Sequence, residues 1–283
     1  MSVLRLNSLF IWYPLIKGVV PSPKTVMIPQ ERSFTSYDDA LTCDRTEEPE
    51  MRRLIDLAIE AVPSLGGYPV FLRSDETSNK HDWRKSCYIT GDEQVEKGIK
   101  NILEFTLMVM AGLDFNGVVI REFLELPHGF HAFSGMPVSK EFRYFIEDGE
   151  ILCRHPYWFP SCMRRVDDEG WLPKLRELQV LDEDTKAVLD GHALKISEAV
   201  EPLEAPGNHW SVDFCYAEKR GWMVTDMATG KDSYHYTSCP RAPEEQKKHY
   251  PDPEDLSGVT TLKSEEEKWK RFRERYGKSN GHS

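Results

Sequence analysis

The sequence predicts an α+β fold, and three kinds of pattern predict it. Short apolar runs closed by glycine, proline or charged turns read as strands. Two of the turns between them, Glu147-Asp148-Gly149 and Glu218-Lys219-Arg220-Gly221, read as hairpins. Longer windows carry the 3.6-residue apolar period of helices.

In chain order, Leu9 to Ile16 is an apolar run interrupted by Pro14, with no small-residue cleavage site after it. It reads as an early core strand, not as a signal peptide. A Pro21-Ser22-Pro23 turn leads to a second strand at Val26-Met27-Ile28. Residues 48–62 read as a helix with Met51, Leu54, Ile55, Ala58, Ile59 and Val62 on one face, ended by Pro63 and Gly66-Gly67. Pro69 to Arg73 is a short buried strand, and a polar loop from Ser74 to Lys85 follows. Thr90 with Glu93 matches a capping box. It opens a helix that turns Val95, Ile99, Ile102, Leu103 and Met110 inward and stops at Gly112. Gly117 to Arg121 is another buried strand. Glu141 to Ile146 pairs with Ile151 to Cys153, a helical region covers about 172–202, and Trp210–Phe214 pairs with Gly221–Asp226. Residues 240–258 hold four prolines and many charges, which suggests a surface linker. Ser264 and the glutamates after it read as a capped helix, docked by Trp269, Phe272 and Tyr276. The organisation expected is an N-terminal subdomain at 1–67, a central pair of subdomains at 68–239, and a charged linker with a C-terminal helix at 240–283.

Composition narrows the function. Apolar residues at 40% and charged residues at 29% fit a folded globular chain. A net charge of −11 speaks against broad nucleic-acid or anionic-membrane binding. No run reaches the ~18 apolar residues of a membrane span. Six cysteines without a C-x-x-C pair, and no N-x-S/T sequon, point to free buried thiols in a reducing, cytoplasmic compartment.

The chemistry lies at strand ends. Arg73 closes one buried strand and is followed by Ser78-Asn79-Lys80-His81. Arg121 closes another, before Glu122-Phe123-Leu124, and Arg143 sits inside a third. Asp213 and Asp226 occupy the two strands of one hairpin. Inward carboxylates on neighbouring strands suit a hard cation such as Mg²⁺, which favours a few carboxylates plus substrate phosphates. Arginine forks and a loop lysine suit the phosphates themselves. Neither a G-x-x-x-x-G-K-[ST] loop nor a G-x-G-x-x-G turn is present, so the usual Gly-rich phosphate loops are excluded.

The ordered set Pro-Val-Phe-Leu-Arg (69–73), Ser-Asn-Lys-His (78–81), Val-Ile-Arg-Glu-Phe (119–123), Glu-Phe-Arg-Tyr-Phe-Ile (141–146), Val-Asp-Phe (212–214) and Val-Thr-Asp-Met-Ala (224–228) resembles the ATP-grasp superfamily. Trp12-Tyr13-Pro14 and Pro21 to Thr25 also fit, and the resemblance spans roughly residues 8–239. It is strongest to the clade named for two arginines and a lysine, to which a eukaryotic cell-division-cycle assembly factor of a translation initiation factor is related. The resemblance implies an ATP-grasp fold with the nucleotide sandwiched between two small antiparallel sheets. It implies ATP and Mg²⁺ as cofactors and ligation of a carboxylate to an amine or similar nucleophile. Arg73 stands where the family has its first phosphate-binding lysine. Ser78 and Lys80 match the mobile loop over the phosphates, and Glu122, Phe123 and Leu124 match the hinge beside adenine. Arg121 and Arg143 match the paired arginines, with Lys80 the candidate catalytic residues. Asp213 and Asp226 match the metal-binding strands. One departure stands out: Ala228 replaces the usual metal-shell asparagine, leaving Thr229, Ser233 or water to fill in, or one ion fewer.

The acceptor implied is a small molecule or peptide. The alternative is an ATP-binding assembly factor for a partner protein, without ligase turnover. Three other readings rank lower. Cys153, His155 and Cys162 have no usual zinc spacing and make only three ligands, so they read as buried thiols and a structural histidine. His155 and His235 are placed to line a substrate pocket, whereas His128 and His131 read as solvated loop residues. Lys80-His81-Asp82 matches the start of a nucleotidyl-lysine motif, but Trp83 stands in place of its glycine.

Overall fold

A computed structural model of the chain describes residues 5–31, 49–109, 116–203, 209–249 and 252–276. Helix α1 (Leu9–Ile16) precedes strand β1 (Thr25–Pro29), and helix α2 (Pro49–Leu65) precedes strand β2 (Val70–Ser74). A one-turn helix α3 (Trp83–Ser86), strand β3 (Tyr88–Ile89), helix α4 (Asp92–Val109) and strand β4 (Gly117–Glu122) complete the first half. These strands form an antiparallel sheet in the order β1-β4-β2-β3. Strand alternation divides its residues. Val70, Leu72, Val118 and Ile120 pack with α2 and α4 in one core. Phe71, Arg73 and Arg121 point to the opposite face and line a cleft.

The second half repeats this arrangement. Strands β7 (Glu141–Glu147), β8 (Glu150–Pro156), β9 (Trp210–Ala217) and β10 (Gly221–Thr229) form an antiparallel sheet in the order β10-β9-β7-β8. Phe142, Tyr144, Val212 and Phe214 pack against α1 and a long helix, α6 (Glu183–Val200). Glu141, Arg143, Asp213 and Cys215 alternate with them on the other face. A bulge at Thr225 puts both Thr225 and Asp226 on the cleft side while Val224 and Met227 stay in the core. Asp148 and Gly149, with φ of 48° and 76°, make the two-residue turn that the sequence predicts. The stretch before residue 67 is shared: β1 joins the first sheet and α1 the core of the second.

Between the sheets lies a hairpin of β5 (His128–Ala132) and β6 (Met136–Ser139), covered by helix α5 (Trp171–Leu178). Helices α7 (Glu244–His249) and α8 (Leu262–Tyr276) follow β10. Among the described residues no helix is long and apolar enough to cross a membrane.

Several local expectations are corrected. Leu9 to Ile16 is a helix, not a strand: Ser8 caps it, accepting from Phe10 N, and Ser8 Oγ in turn donates to buried Asp75 at 2.7 Å. A continuous apolar run has no period to separate strand from buried helix, and the deciding partner lies far along the chain. Pro63 lies inside α2, which continues to Leu65. Thr90 pairs with Gln94 rather than Glu93, donating to its side-chain oxygen from both N and Oγ1. The reciprocal cap of α8 is made by Thr261 with Ser264 as its partner, so the helix begins earlier than Ser264. His128 and His131 sit on β5, not in a loop. Met110, Gly112 and the side chains of Trp269, Phe272 and Tyr276 lie outside the described residues.

Candidate functional site

The two sheets face each other across an open cleft. Arg73, Ser78, Lys80, Arg121, Glu122, Phe123, Leu124 and Asp226 all line it, gathered from three strands and two loops. Arg143 and Asp213 do not line it. They sit beside Asp226 in one cross-strand row, Arg143–Asp213–Asp226.

The polar end is built on two guanidinium groups. Arg73 donates from Nη1 to Asp226 Oδ1 at 2.9 Å and from Nε to Ser74 O at 3.0 Å. Arg121 donates from Nε to Thr25 Oγ1 at 3.0 Å and from Nη1 to Thr225 O at 2.5 Å. Its Nη2 is buried and has no hydrogen-bond partner among the described residues. Burial, and then the charge of Arg73, push the Arg121 pKa down to about 10. Two cations held together with one donor unused make a place that is incomplete without an anion.

Lys80 reaches the same end from the loop after β2. Asn79, in the left-handed region at φ 40°, bends the chain there, and its side chain is held by Ser86 Oγ at 2.9 Å. Asparagine tolerates that conformation because its short amide bonds locally. Ser78 is fixed through its carbonyl, which accepts from the Cys87 thiol. The Lys80 ammonium lies 4.0 Å from the centre of the Tyr157 ring and 4.9 Å from Trp158, a cation–π cage. Burial works against its charge, but Tyr157, Glu141 and Asp213 more than reverse this and hold the Lys80 pKa above its ordinary value.

The two aspartates differ in what they have left to offer. Asp213 is 5% exposed, and both its oxygens accept from Arg143, at 2.7 and 2.8 Å. Arg143 also lies 4.7 Å from the Tyr157 ring. Asp226 is 37% exposed and engages Arg73 and Met227 N through Oδ1 alone.

The other end of the cleft is apolar. Trp83 stacks on Tyr88 at 5.7 Å, and Phe123 meets Tyr88 at 5.0 Å. The Glu122 side chain turns away into structural bonds, accepting from Lys24 N at 2.7 Å and Arg220 at 2.6 Å.

Sequence reasoning missed Glu141, a buried carboxylate that opens β7 and lines the cleft. Burial raises its pKa well above the usual carboxylate range, against the pull of Lys80. Its alternation with Arg143 along Glu-Phe-Arg was the available signal: two residues apart on a strand, both face the same way. His155 and His235 do not line this cleft. His131 pairs with Asp167 at 3.1 Å near the surface.

The chain matches a family model described as an ATP-grasp domain, family 3 of the clade named for two arginines and a lysine, over residues 64–245. A search of curated proteins returns no match. Among solved structures, Cdc123 from Schizosaccharomyces pombe is similar at 17% identity and a TM-score of 0.46, over 80% of this chain and 86% of that one. D-alanine–D-alanine ligase from Bacillus anthracis, complexed with ATP, is 12% identical with a TM-score of 0.40, over 79% of this chain and 55% of its own. N5-carboxyaminoimidazole ribonucleotide synthetase from Thermotoga maritima is 11% identical with a TM-score of 0.36, over 79% and 41%. The chain thus spans roughly half the length of the latter two. The family model takes in well over half of the chain, including every cleft residue from Arg73 to Asp226. With the two facing antiparallel sheets, this makes the chain a member of the ATP-grasp superfamily, in the third family of the clade named for two arginines and a lysine.

Proposed function

We propose that the chain binds ATP with Mg²⁺ in this cleft and acts as an ATP-grasp ligase, joining a carboxylate to an amine or similar nucleophile through an acylphosphate with release of ADP. The observation that carries the reading is the Arg73–Arg121 pair with its buried, unused Nη2. A polyphosphate neutralises both guanidinium groups and takes the free donor. Phe71, Phe123 and Leu124 offer an apolar seat for a base at the opposite end. Lys80 adds charge to the transferring phosphoryl group.

The residues fit one Mg²⁺ better than two. Asp226, with Oδ2 uncommitted among the described residues, would hold the ion, and buried Glu141 lines the same cleft. Once bound, the ion supplies charge neutralisation between phosphates. Asp213 is fully engaged by Arg143. Thr229 Oγ1 donates to Asp232 at 2.5 Å and Ser233 Oγ is shared with Ser211 at 2.5 Å, so neither stands in for the side chain that Ala228 lacks. A reducing, cytoplasmic setting suits the five described cysteines, all of them free.

A second reading keeps the nucleotide but not the reaction. Arg143, which the family resemblance aims at phosphate, is locked on Asp213. A chain that holds ATP·Mg as part of a protein-assembly role needs no phosphate-facing second arginine on that sheet.

Thermal-shift titration with ATP, ADP and AMP, with and without Mg²⁺, tests the site. Ligand at ~100 times its Kd stabilises by roughly 2.7 kcal/mol. Lys80→Ala and Asp226→Asn are each expected to abolish the Mg-dependent shift, read against each variant's own unliganded melt. Wild-type affinity in both variants overturns the assignment. ADP release against a panel of carboxylates and amines then separates ligase from assembly factor: Mg-dependent binding with no turnover on any pair favours the latter.

A further inference from the structure

A second cluster of reactive side chains lies outside the cleft's lining. Cys153 and His155, two residues apart on β8, face the same way. Their cross-strand partners on β7 are Phe145 and Arg143. The segment beyond β10 brings His235 and Cys239 to them. The ligand atoms of Cys153, His155, His235 and Cys239 all lie within 4.8 Å of one another. Cys153 Sγ is 3.1 Å from His235 Nε2. His155 Nε2 and His235 Nδ1 are buried without a hydrogen-bond partner among the described residues. An unsatisfied buried nitrogen is costly, and His155 Nε2, beside the Cys153–His235 pair, calls for a partner; His235 would ligate through Nε2, the nitrogen that meets Cys153.

The surroundings hold the rings in place. Phe145 stacks on His235 at 3.5 Å and Tyr236 on His155 at 5.1 Å. Gln246 pins the incoming segment, accepting from His235 N and donating to Ser233 O, both at 2.8 Å. Zinc–sulfur bonds of about 2.3 Å and zinc–nitrogen bonds of about 2.0–2.1 Å put tetrahedral ligand atoms roughly 3.3–3.8 Å apart. The cluster is within a small side-chain adjustment of that spacing.

We propose that Cys153, His155, His235 and Cys239 form a structural Cys₂His₂ zinc site that fastens residues 235–239 to β8. Two thiolates and two imidazoles are the donors zinc prefers, and four protein ligands fill its shell, leaving no position for a substrate. Burial pushes both imidazoles down to about 4, so they are neutral and ready to ligate at neutral pH. Burial raises the Cys153 thiol in the metal-free chain; the cation supplies the charge that releases its proton. Binding therefore converts two thiols to thiolates and frees two protons. Cys162, the third ligand suggested by the local sequence, is not part of the site: its thiol donates to Phe159 O at 3.0 Å. The clamp also bears on the nucleotide side, because Tyr234, next to His235, accepts from Arg143 Nη1 at 3.4 Å through its carbonyl.

Metal analysis of the purified full chain tests the site independently of nucleotide binding. One zinc per chain is expected, retained through gel filtration and released to a chromophoric chelator. Cys162→Ser should keep the full complement, whereas Cys239→Ser and His235→Ala should lose it. Because those two variants risk misfolding, the stripped wild-type chain should also be loaded with Co²⁺. The intense absorption of tetrahedral cobalt, with sulfur-to-metal charge transfer, is expected. A chain that neither carries zinc nor takes up added Zn²⁺ or Co²⁺ overturns the proposal. So does a Cys153–Cys239 disulfide found by mass spectrometry, or loss of the metal in Cys162→Ser.

Discussion

Arg121→Met is expected to weaken ATP binding by about two orders of magnitude without lowering the stability of the unliganded chain. The two halves of this result have one cause. Arg121 lines the cleft beside Arg73 with Nη2 unpartnered among the described residues, and burial together with Arg73 lowers its pKa to about 10. A base whose folded pKa lies below its unfolded value is penalised by folding. The penalty is complete below about 10 and fades only as pH rises from there toward the unfolded value. At neutral pH the charged side chain therefore costs the empty fold, and an uncharged residue of similar volume removes that cost. With nucleotide present the sign reverses. A charge-assisted hydrogen bond is worth about 1.5–3 kcal/mol, so losing one strong phosphate contact or two weaker ones costs roughly 3 kcal/mol, about 100-fold in Kd. Calorimetric titration with ATP and a urea melt without it measure the two halves. Wild-type affinity in Arg121→Met would place the phosphates elsewhere in the molecule.

The cleft was legible in the sequence because its residues break a local rule. Arg73 and Arg121 end runs that otherwise read as buried strands, and Asp213, in the row beside cleft residue Asp226, interrupts another. A charge on a buried strand needs a partner, and alternation then tells which residues share its face. The strands were legible as short apolar runs between turns: Pro69 to Arg73, Glu141 to Ile146 and Trp210 to Phe214 each overlap an observed strand. What failed depended on partners far away. Helix α1 is decided by Ser8 and by Asp75, which also accepts from Asn116 Nδ2 at 2.7 Å. The β5–β6 hairpin turns through Phe133, Ser134 and Gly135, all at positive φ, and phenylalanine there signals no turn. The cysteine–histidine cluster was divided between two segments, neither with a zinc spacing, so its four members meet only in three dimensions.

Arg143→Met is expected to destabilise the fold by about 3–5 kcal/mol, because it strips the partner from a carboxylate that water barely reaches. Arg143 is 16% exposed and Asp213 5%, and their bonds are short and bidentate. Burial alone would lower the Arg143 pKa, but Asp213 reverses this and raises it above the ordinary value. Such a contribution is complete at every pH below the unfolded arginine value of about 12.5, so the loss should be the same at pH 6 and pH 8. Replacing both partners by apolar groups leaves no stranded charge, and Arg143→Met with Asp213→Leu should recover most of the stability. Urea melts of the wild type, the single variant and the double variant measure this. A double variant no more stable than the single one would show that the pair is not the source of the loss. The double variant then answers a question the single one leaves entangled with unfolding. If its Mg·ATP stabilisation equals that of the wild type, Arg143 and Asp213 brace the sheet beside the cleft, and Arg73, Arg121 and Asp226 hold the nucleotide on their own. If the stabilisation is lost, the pair opens on binding, with Arg143 released to phosphate and Asp213 to the metal.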